Sequence, residues 1–411
     1  MKINKHCFPN GLRLVHYEDT STQMVALNIV YDVGARDEHP EHTGFAHLFE
    51  HLMFGGSVHI PDYDTPLQLA GGENNAWTNN DITNYYLTVP KPNVETAFWL
   101  ESDRMLELAF SEQSLEVQRG VVMEEFKQRC LNQPYGDVGH LFRPLAFRVH
   151  PYRWPTIGKE LSHIEQATLD EVKSFFYRFY APNNAVLAVT GNISWDETVK
   201  LTEKWFAPIP RRDVPVRQLP QEPEQTQERR LTVERNVPLD ALFMGYHMCS
   251  REGADYYAFD ILSDILSNGR SSRLNRRLVQ EQNIFSGIDA YISGTRDAGL
   301  LQISGKPAAG VSLEQAEAAV RKELEELQRS PVDGQELEKV KNKFESTQIF
   351  GNINYLNVAT NLAWFELTGK AEDIDLEVER YRSVTTEQLH TVAQRTFCES
   401  NAVVLYYKSD K

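Results

Sequence analysis

Two histidines and a glutamate lie within five consecutive residues, His47-Leu48-Phe49-Glu50-His51, at spacings that suit metal chemistry. On a helix, His47 and His51 lie on one face, one turn apart. Glu50 lies about 60° around the helix from His47, because successive residues rotate by about 100°. Zinc binds imidazole nitrogens at about 2.0–2.1 Å, and a catalytic zinc site has three protein ligands and a water. The pentapeptide therefore predicts part of a zinc site, although an amphipathic helix with two solvated histidines has the same pattern.

The same predicted helix has an apolar face that can pack against the rest of a domain. The apolar residues that gather opposite the histidines are Phe45, Leu48, Phe49, Leu52 and Met53. Such a helix buries one face and presents imidazole and carboxylate on the other.

A third metal ligand has to come from another part of the chain, and Glu125 is the candidate. Residues 115–129 predict a helix with a stripe made of Leu115, Gln118, Val122 and Phe126. Glu125 falls inside this stripe, whereas Glu124 points away from it. A carboxylate in an apolar stripe is costly unless it is neutralised, and a divalent cation would neutralise it. The alternatives are a salt bridge or a place at the edge of the stripe.

Composition and charge narrow the class of protein. The chain has 411 residues, 41% of them hydrophobic and 24% charged, which is typical of a globular protein with more than one domain. The formal net charge of -16 argues against nucleic acid, whose phosphates attract positive charge. The four cysteines have no CxxC spacing, so neither a zinc–thiolate site nor a disulfide framework is expected.

Neither a membrane span nor a secretion signal is expected from the sequence. There is no run of about eighteen apolar residues, which a spanning helix requires. The first residues (MKINKH) lack the apolar middle of a secretion signal. These features predict a cytoplasmic protein, or a periplasmic one if a signal has been removed.

The two halves of the chain resemble each other, which predicts a duplicated domain. Residues 26–31 (ALNIVY) match residues 241–246 (ALFMGY) at an offset of 215, and residues 184–187 match residues 401–404 at an offset of 217. Between them, residues 207–230 are rich in proline, glutamine and charge and lack hydrophobic periodicity. We therefore expect a metal-bearing domain at 1–210, a linker at 211–230 and a homologous domain without a metal site at 231–411.

Strands and helices are mixed within each half. A strand is predicted at 12–17 after the turn signal Asn10-Gly11, a second at 25–33 from strict alternation, and a third at 83–89. Asn93 is the predicted cap of a helix that follows it. Strands separated by helices of this length indicate an α+β or α/β domain.

These motifs resemble the pitrilysin (insulinase) family of zinc metallopeptidases, in particular the short bacterial relatives of the mitochondrial processing peptidase beta subunit. His-x-x-Glu-His is the inverted zincin motif, and residues 119–125 (RGVVMEE) follow it about seventy residues later. The likeness extends to residues 33–38 (VGARDE), 44–46 (GFA) and 75–78 (NAWT), and it covers essentially the whole chain.

The resemblance implies an α+β fold of two homologous domains, each a mainly antiparallel sheet covered by helices, which form half of a clamshell. It implies one Zn²⁺ per chain, held by His47, His51 and Glu125 rather than Glu124, with Glu50 activating the water. His42 and His59, which are histidines near the motif, are expected on the surface or behind the ligands.

The resemblance also implies where a substrate binds. Asn75, Ala76, Trp77 and Thr78 would border the substrate, which would pair as an extended peptide with the edge of a sheet. The alternative for this segment is a plain hairpin strand with an exposed turn at residues 79–81.

The sequence departs from the family pattern at two places. Members often have a glutamate seven residues before the third ligand, where this chain has Gln118. In the second half, the offset of 215 maps the two histidines and Glu50 onto Leu262, Ile265 and Leu266, so no metal is expected there.

The second half also lacks an expected substrate clamp. Val279 and Ser286 stand where relatives have an arginine and a tyrosine that hold the substrate. The resemblance therefore implies a dimer with a homologous subunit that carries the arginine and tyrosine. The alternative is that Tyr291 or a neighbouring arginine takes over this role.

Together these observations predict a zinc-dependent endopeptidase that hydrolyses peptides or unfolded segments as the metal-bearing subunit of a dimer. Neither nucleic acid nor a membrane is an expected partner. The alternative is a non-catalytic structural subunit of the same fold, although such relatives have usually lost the metal motif.

Overall fold

The computed structural model of the protein describes residues 1–410, within which no helix is both long and apolar enough to cross a membrane. The strands are β1 (Asn4–Cys7), β2 (Arg13–Glu18), β3 (Met24–Tyr31), β4 (Glu73–Thr78), β5 (Thr83–Pro90), β6 (Ala185–Gly191), β7 (Arg229–Arg235), β8 (Ala241–His247), β9 (Phe285–Ile292), β10 (Leu300–Pro307) and β11 (Ala402–Ser409). The α-helices are α1 (Phe45–Leu52), α2 (Asp64–Leu69), α3 (Val94–Leu106), α4 (Glu112–Phe126), α5 (Val138–Ala146), α6 (Leu161–Glu165), α7 (Leu169–Phe179), α8 (Trp195–Phe206), α9 (Tyr256–Ser267), α10 (Leu313–Arg329), α11 (Gly334–Gly351), α12 (Tyr355–Thr368), α13 (Glu377–Ser383) and α14 (Thr386–Thr396).

The first compact unit consists of residues 1–129, 154–220 and 349–376. Its six-stranded sheet has the order β1-β2-β6-β3-β5-β4, and only the pair β2 and β6 is parallel. Alternate residues of β3 point to opposite faces of the sheet. Leu27 and Ile29 therefore pack on the face that is covered by α1 and α3, whereas Ala26 and Val30 pack on the other face, against α12.

The second compact unit consists of residues 130–153, 221–348 and the chain from 377 onwards. Its five-stranded sheet has the order β7-β11-β8-β10-β9, and only β7 and β11 are parallel. Leu262 of α9 and Leu324 of α10 belong to the apolar cluster on one face. On the other face, Phe142 of α5 packs with Val403 and Leu405 of β11.

The two sheets share a pattern of one parallel pair among antiparallel neighbours. In each unit one face of the sheet is covered by a helix from the opposite half of the sequence, α12 in the first unit and α5 in the second. The predicted α+β class with two mainly antiparallel sheets covered by helices is confirmed. The boundaries at 210 and 231 concern the duplicated sequence and stay a prediction, because the packed units combine segments that are not contiguous.

The segment at 210–228 contains neither helix nor strand, and two of its arginines bind residues of the first unit. Arg212 donates hydrogen bonds to the carbonyls of Tyr180 and Leu106, both at 2.6 Å. Arg217 donates to the carbonyl of Asp32 at 2.8 Å. The segment is therefore anchored by specific contacts although it has no regular secondary structure.

One local prediction is wrong, while the strands predicted at 12–17, 25–33 and 83–89 are present as β2, β3 and β5. Asn93 precedes α3 but does not cap it, because its side-chain amide donates to the carbonyl of Ala70 at 2.9 Å. The alternative interpretation of the segment 75–78 included an exposed turn at 79–81, which is not observed. Asp81 in this turn is 2% exposed, and its carboxylate pairs with Arg36 at 3.2 Å.

Candidate metal centre

Helix α1 carries the histidine pair, and a side chain from outside the helix fixes its first turn. Gly44 precedes the helix with a φ of 88° and has no side chain that could cap it. The carboxyl group of Glu38 takes that role, accepting hydrogen bonds from the backbone N–H of Gly44 at 2.9 Å and of Ala46 at 2.8 Å. These contacts satisfy N–H donors at the start of the helix that would otherwise be unpaired. Burial raises the pKa of the Glu38 carboxyl to about 8, so the contacts and not a full negative charge fix the first turn.

The structure brings the side chains of His47, His51 and Glu125 together. Nε2 of His47 is 3.5 Å and Nε2 of His51 is 3.4 Å from the same oxygen, Oε2 of Glu125. All three ligand atoms lie within 4.8 Å of one another, and no other such group of at least three was found within residues 1–410. Tetrahedral zinc with bonds of about 2.0–2.1 Å separates its ligand atoms by roughly 3.3–3.4 Å. The donor set and its spacing therefore fit a zinc ion.

Burial of His47 and hydrogen bonding of Glu125 each favour the protonation state that metal binding requires. His47 is 8% exposed, and its burial lowers the pKa of the imidazole to about 4, so the ring is neutral at pH 7. The hydrogen bond with His51 lowers the pKa of Glu125 below its ordinary value, so this carboxylate is ionised. A neutral imidazole and a carboxylate are the forms that bind metals.

Glu50 lies beside the group without belonging to it. Burial raises the pKa of its carboxyl above the ordinary value, against the effect of a hydrogen bond from the Thr78 hydroxyl. The side chain is only partly buried, so it remains accessible to water. Glu50 is therefore a more basic carboxylate than usual, placed next to three potential metal ligands.

Strand β4 contains the four residues expected at the substrate, and it is an edge strand of the first sheet. Ala76 packs with the apolar cluster on the side of α1, and Thr78 bonds to Glu50 on the same side. Trp77 packs on the opposite face, with the cluster that includes α12. Asn75 is exposed, and its side-chain oxygen accepts from the N–H of Ala76 at 2.8 Å. The side chains of the predicted segment thus divide between the two faces.

Other sequence candidates lie apart from the three converging atoms. Glu124 is 57% exposed and pairs with Lys127 at 3.7 Å. His42 pairs with Glu171 at 3.2 Å, and His59 with Asp103 at 2.6 Å, and both histidine side chains are exposed. In the second unit, the residues matched to the motif, Leu262, Ile265 and Leu266, are fully buried in α9.

Sequence reasoning missed two residues that contact the ligands or the helix that carries them. Arg129 pairs with Glu125 at 2.8 Å, and their i, i+4 spacing was a readable signal of this contact. Glu38 reaches the start of α1 from a preceding loop, and no local sequence pattern indicates that contact.

Comparison with known proteins identifies the family. Residues 13–137 match the family described as Insulinase (Peptidase family M16), and residues 166–344 match the one described as Peptidase M16 inactive domain. The two matches cover most of the chain, so the protein belongs to the insulinase (M16) peptidase family. The predicted family is confirmed.

The similar proteins extend over nearly the whole chain. The zinc protease PqqE of Helicobacter pylori is 26% identical over 405 residues, which cover 97% of this chain and 91% of that protein. The uncharacterized zinc protease YmxG of Bacillus subtilis is 25% identical, with 98% of each chain covered. The crystal structure of a protease from Helicobacter pylori matches with a TM-score of 0.94 at 26% identity, covering 99% of both chains. A peptidase M16 inactive domain from Pseudomonas fluorescens has a TM-score of 0.90 at 16% identity, covering 100% of this chain and 99% of that one, which shows the fold alone.

Proposed function

We propose that the protein is a zinc-dependent endopeptidase that hydrolyses peptides or unfolded segments. The observation that carries this proposal is the convergence of His47 Nε2, His51 Nε2 and Glu125 Oε2, with the carboxylate of Glu50 beside them. The names of the relatives, zinc proteases at about one quarter identity, support the same chemistry.

The mechanism divides between residues that hold the metal and one that moves protons. His47, His51 and Glu125 would hold the zinc ion. When bound, zinc lowers the pKa of a water to about 7 and polarises a carbonyl group. The carboxylate of Glu50 accepts the proton of the attacking water and later delivers it to the nitrogen of the leaving amine. Burial suits Glu50 to this task, because a raised pKa brings the carboxyl closer to neutral pH.

The edge position of β4 supports an extended binding mode for the substrate. An edge strand has backbone N–H and C=O groups that can pair with an added peptide strand. Ala76 and Thr78 lie on the face of Glu50, whereas Asn75 and Trp77 would contribute through the backbone and by supporting the strand.

We further propose that the protein works as a dimer whose homologous partner supplies an arginine and a tyrosine for the substrate. Support comes from the residues at the corresponding positions in the second unit. Val279 packs against an apolar cluster, and the Ser286 hydroxyl donates to the carbonyl of Lys306 at 3.1 Å. Neither side chain can supply the charge of an arginine or the phenol of a tyrosine.

Glu50→Gln tests the proton-transfer role. We expect this variant to keep one zinc per chain but to lose activity by a factor of about 10² to 10⁴, because the amide cannot accept the proton. Zinc content is measured by elemental analysis, and cleavage of a diverse peptide mixture by mass spectrometry. Glu125→Gln should lose zinc, while its matched control Glu124→Gln should keep both zinc and activity.

The outcomes of this experiment are distinct. Full activity of Glu50→Gln contradicts its assignment as the base. Zinc-loaded protein that cleaves nothing supports an obligate partner. Protein that binds no zinc contradicts the proposal and favours a structural subunit of the same fold.

A further inference from the structure

Arg129 lies just beyond the helix that carries Glu125. Helix α4 ends at Phe126 and continues as a π-helical turn, Lys127–Leu131. In this turn, Nη2 of Arg129 is 2.8 Å from Oε1 of Glu125. The other oxygen of Glu125, Oε2, is the one that faces the two histidine rings. The two oxygens of this carboxylate therefore have different partners.

We propose that Arg129 is a positioning residue of the metal site, which holds Oε1 of Glu125 so that Oε2 alone is presented to the metal. This inference rests on the proposed function. A glutamate side chain has three rotatable bonds, and a carboxylate without a partner can turn either oxygen, or both, toward a cation. A guanidinium restricts this freedom because its planar donors fix the orientation of the carboxylate. Partners of this kind behind a ligand commonly change metal affinity by about 10- to 100-fold.

The charge of Arg129 and its contact with Glu125 have opposite effects on metal affinity, so the direction of the change on mutation tests the proposal. A guanidinium close to a bound cation repels it, so removing the charge alone would tighten metal binding. Loss of positioning would weaken metal binding instead. The side chain is 67% exposed, so its replacement leaves no cavity in the apolar core. An effect on metal binding can therefore be separated from an effect on folding.

The experiment compares zinc affinity across variants of the full chain. Affinity is measured by competition with a chelator for the unmodified protein, Arg129→Leu and Arg129→Lys. We expect Arg129→Leu to bind zinc about 10- to 100-fold more weakly. Arg129→Lys should lie in between, because the ammonium group can still donate to Oε1 of Glu125 but lacks the planar fork that fixes the orientation of the carboxylate. Arg129→Leu should also change the visible absorption spectrum of the Co²⁺-loaded protein. Arg129→Ala, which also removes the charge and all donors, serves the same comparison if the leucine variant does not fold.

The matched control is Lys127→Leu, which removes a cation from the same turn. Lys127 pairs with Glu124 at 3.7 Å and not with Glu125, so we expect its zinc affinity to change less than about threefold. The melting temperature of the metal-free protein should be the same for all variants. Equal or tighter zinc binding by Arg129→Leu overturns this inference alone. Absence of zinc binding by the unmodified protein overturns the inference and the proposed function together.

Discussion

Glu317 of α10 is a buried carboxylate in the second unit that remains ionised. It accepts hydrogen bonds from Arg230 at 2.7 and 2.8 Å, from Arg321 at 2.7 Å and from the Tyr406 hydroxyl. Burial opposes ionisation, but these partners outweigh it and lower the pKa of Glu317 to about 2. Because the folded-state pKa lies below the ordinary value of 4.5, ionised Glu317 contributes stability above about pH 4.5, which is lost as the pH falls toward 2.

Glu317→Gln should lower the free energy of unfolding and weaken the dependence of that free energy on pH. We expect the free energy of unfolding at pH 7 to fall by roughly 3 kcal/mol, since each pKa unit corresponds to about 1.4 kcal/mol. Its pH dependence below about pH 4.5 should become weaker. Urea unfolding at a series of pH values measures both quantities. Glu325→Gln is the control, because Glu325 pairs with Arg329 on the surface at 2.7 Å. An unchanged slope in Glu317→Gln would contradict the assigned pKa.

At the scale of elements, the entry into α1 depends on one glycine. Gly44 has a φ of 88°, and a Cβ atom added to it would lie 2.7 Å from Cδ1 of Ile164 and 2.8 Å from the carbonyl oxygen of Ile157. Gly120 lies inside α4, and apart from its chain neighbours and the backbone of its own helix no atom lies within 4 Å of such a Cβ. Replacing glycine with alanine should therefore lower the stability of the protein at Gly44 and raise it at Gly120.

We expect Gly44→Ala to destabilise the metal-free protein by about 1–3 kcal/mol, through backbone strain and contact with Ile157. Zinc affinity should fall with it, because α1 carries two of the proposed ligands. Gly120→Ala should stabilise the protein by about 0.5–1 kcal/mol, because alanine favours a helix interior. Melting temperatures measured without metal should therefore fall for Gly44→Ala and rise for Gly120→Ala. Equal effects of the two substitutions would show that the first turn of α1 adapts freely.

The elements that were predictable from the sequence are those whose signal is local. Alternation predicted β3, and helical periodicity placed Glu125 within the stripe of α4 and Glu124 outside it. Burial of Ala26 and Val30 on the second face of β3 could not be predicted, because α12 follows more than 300 residues later. The closeness of Glu125 to the histidines was inferred from chemistry and family resemblance. Which partner each carboxylate oxygen of Glu125 contacts depends on the side-chain rotamer, and helical periodicity does not determine the rotamer.

At the scale of the whole molecule, each unit needs a segment from the opposite half of the chain. In the first unit, α12 covers one face of the sheet, where Val358 and Leu362 pack with residues such as Val15 and Val186. All four side chains are buried. Without residues 349–376 this face of the sheet would be exposed to water. The exposure would cost a free energy of about 25 cal/mol for each Å² of apolar surface.

A fragment of residues 1–220 should therefore fail to form a stable first unit. We expect weak hydrogen-exchange protection in β3 and β6 and binding of a hydrophobic dye to the uncovered face. Joining residues 349–376 to this fragment through a flexible linker should restore the protection. Hydrogen exchange followed by mass spectrometry measures the difference. Equal protection in the two fragments would mean that α12 contributes little to the stability of the sheet.

The exchange of covering helices also determines the order of events during synthesis. A ribosome adds about 5–20 residues per second, so it needs roughly 6–26 s to pass from residue 220 to residue 349. During that interval the nascent first unit has all six strands but not the helix that shields one of their faces. The N-terminal half therefore cannot finish folding before most of the C-terminal half has been made. Completion of the proposed zinc-bearing unit is in this way linked to the synthesis of the chain through residue 376.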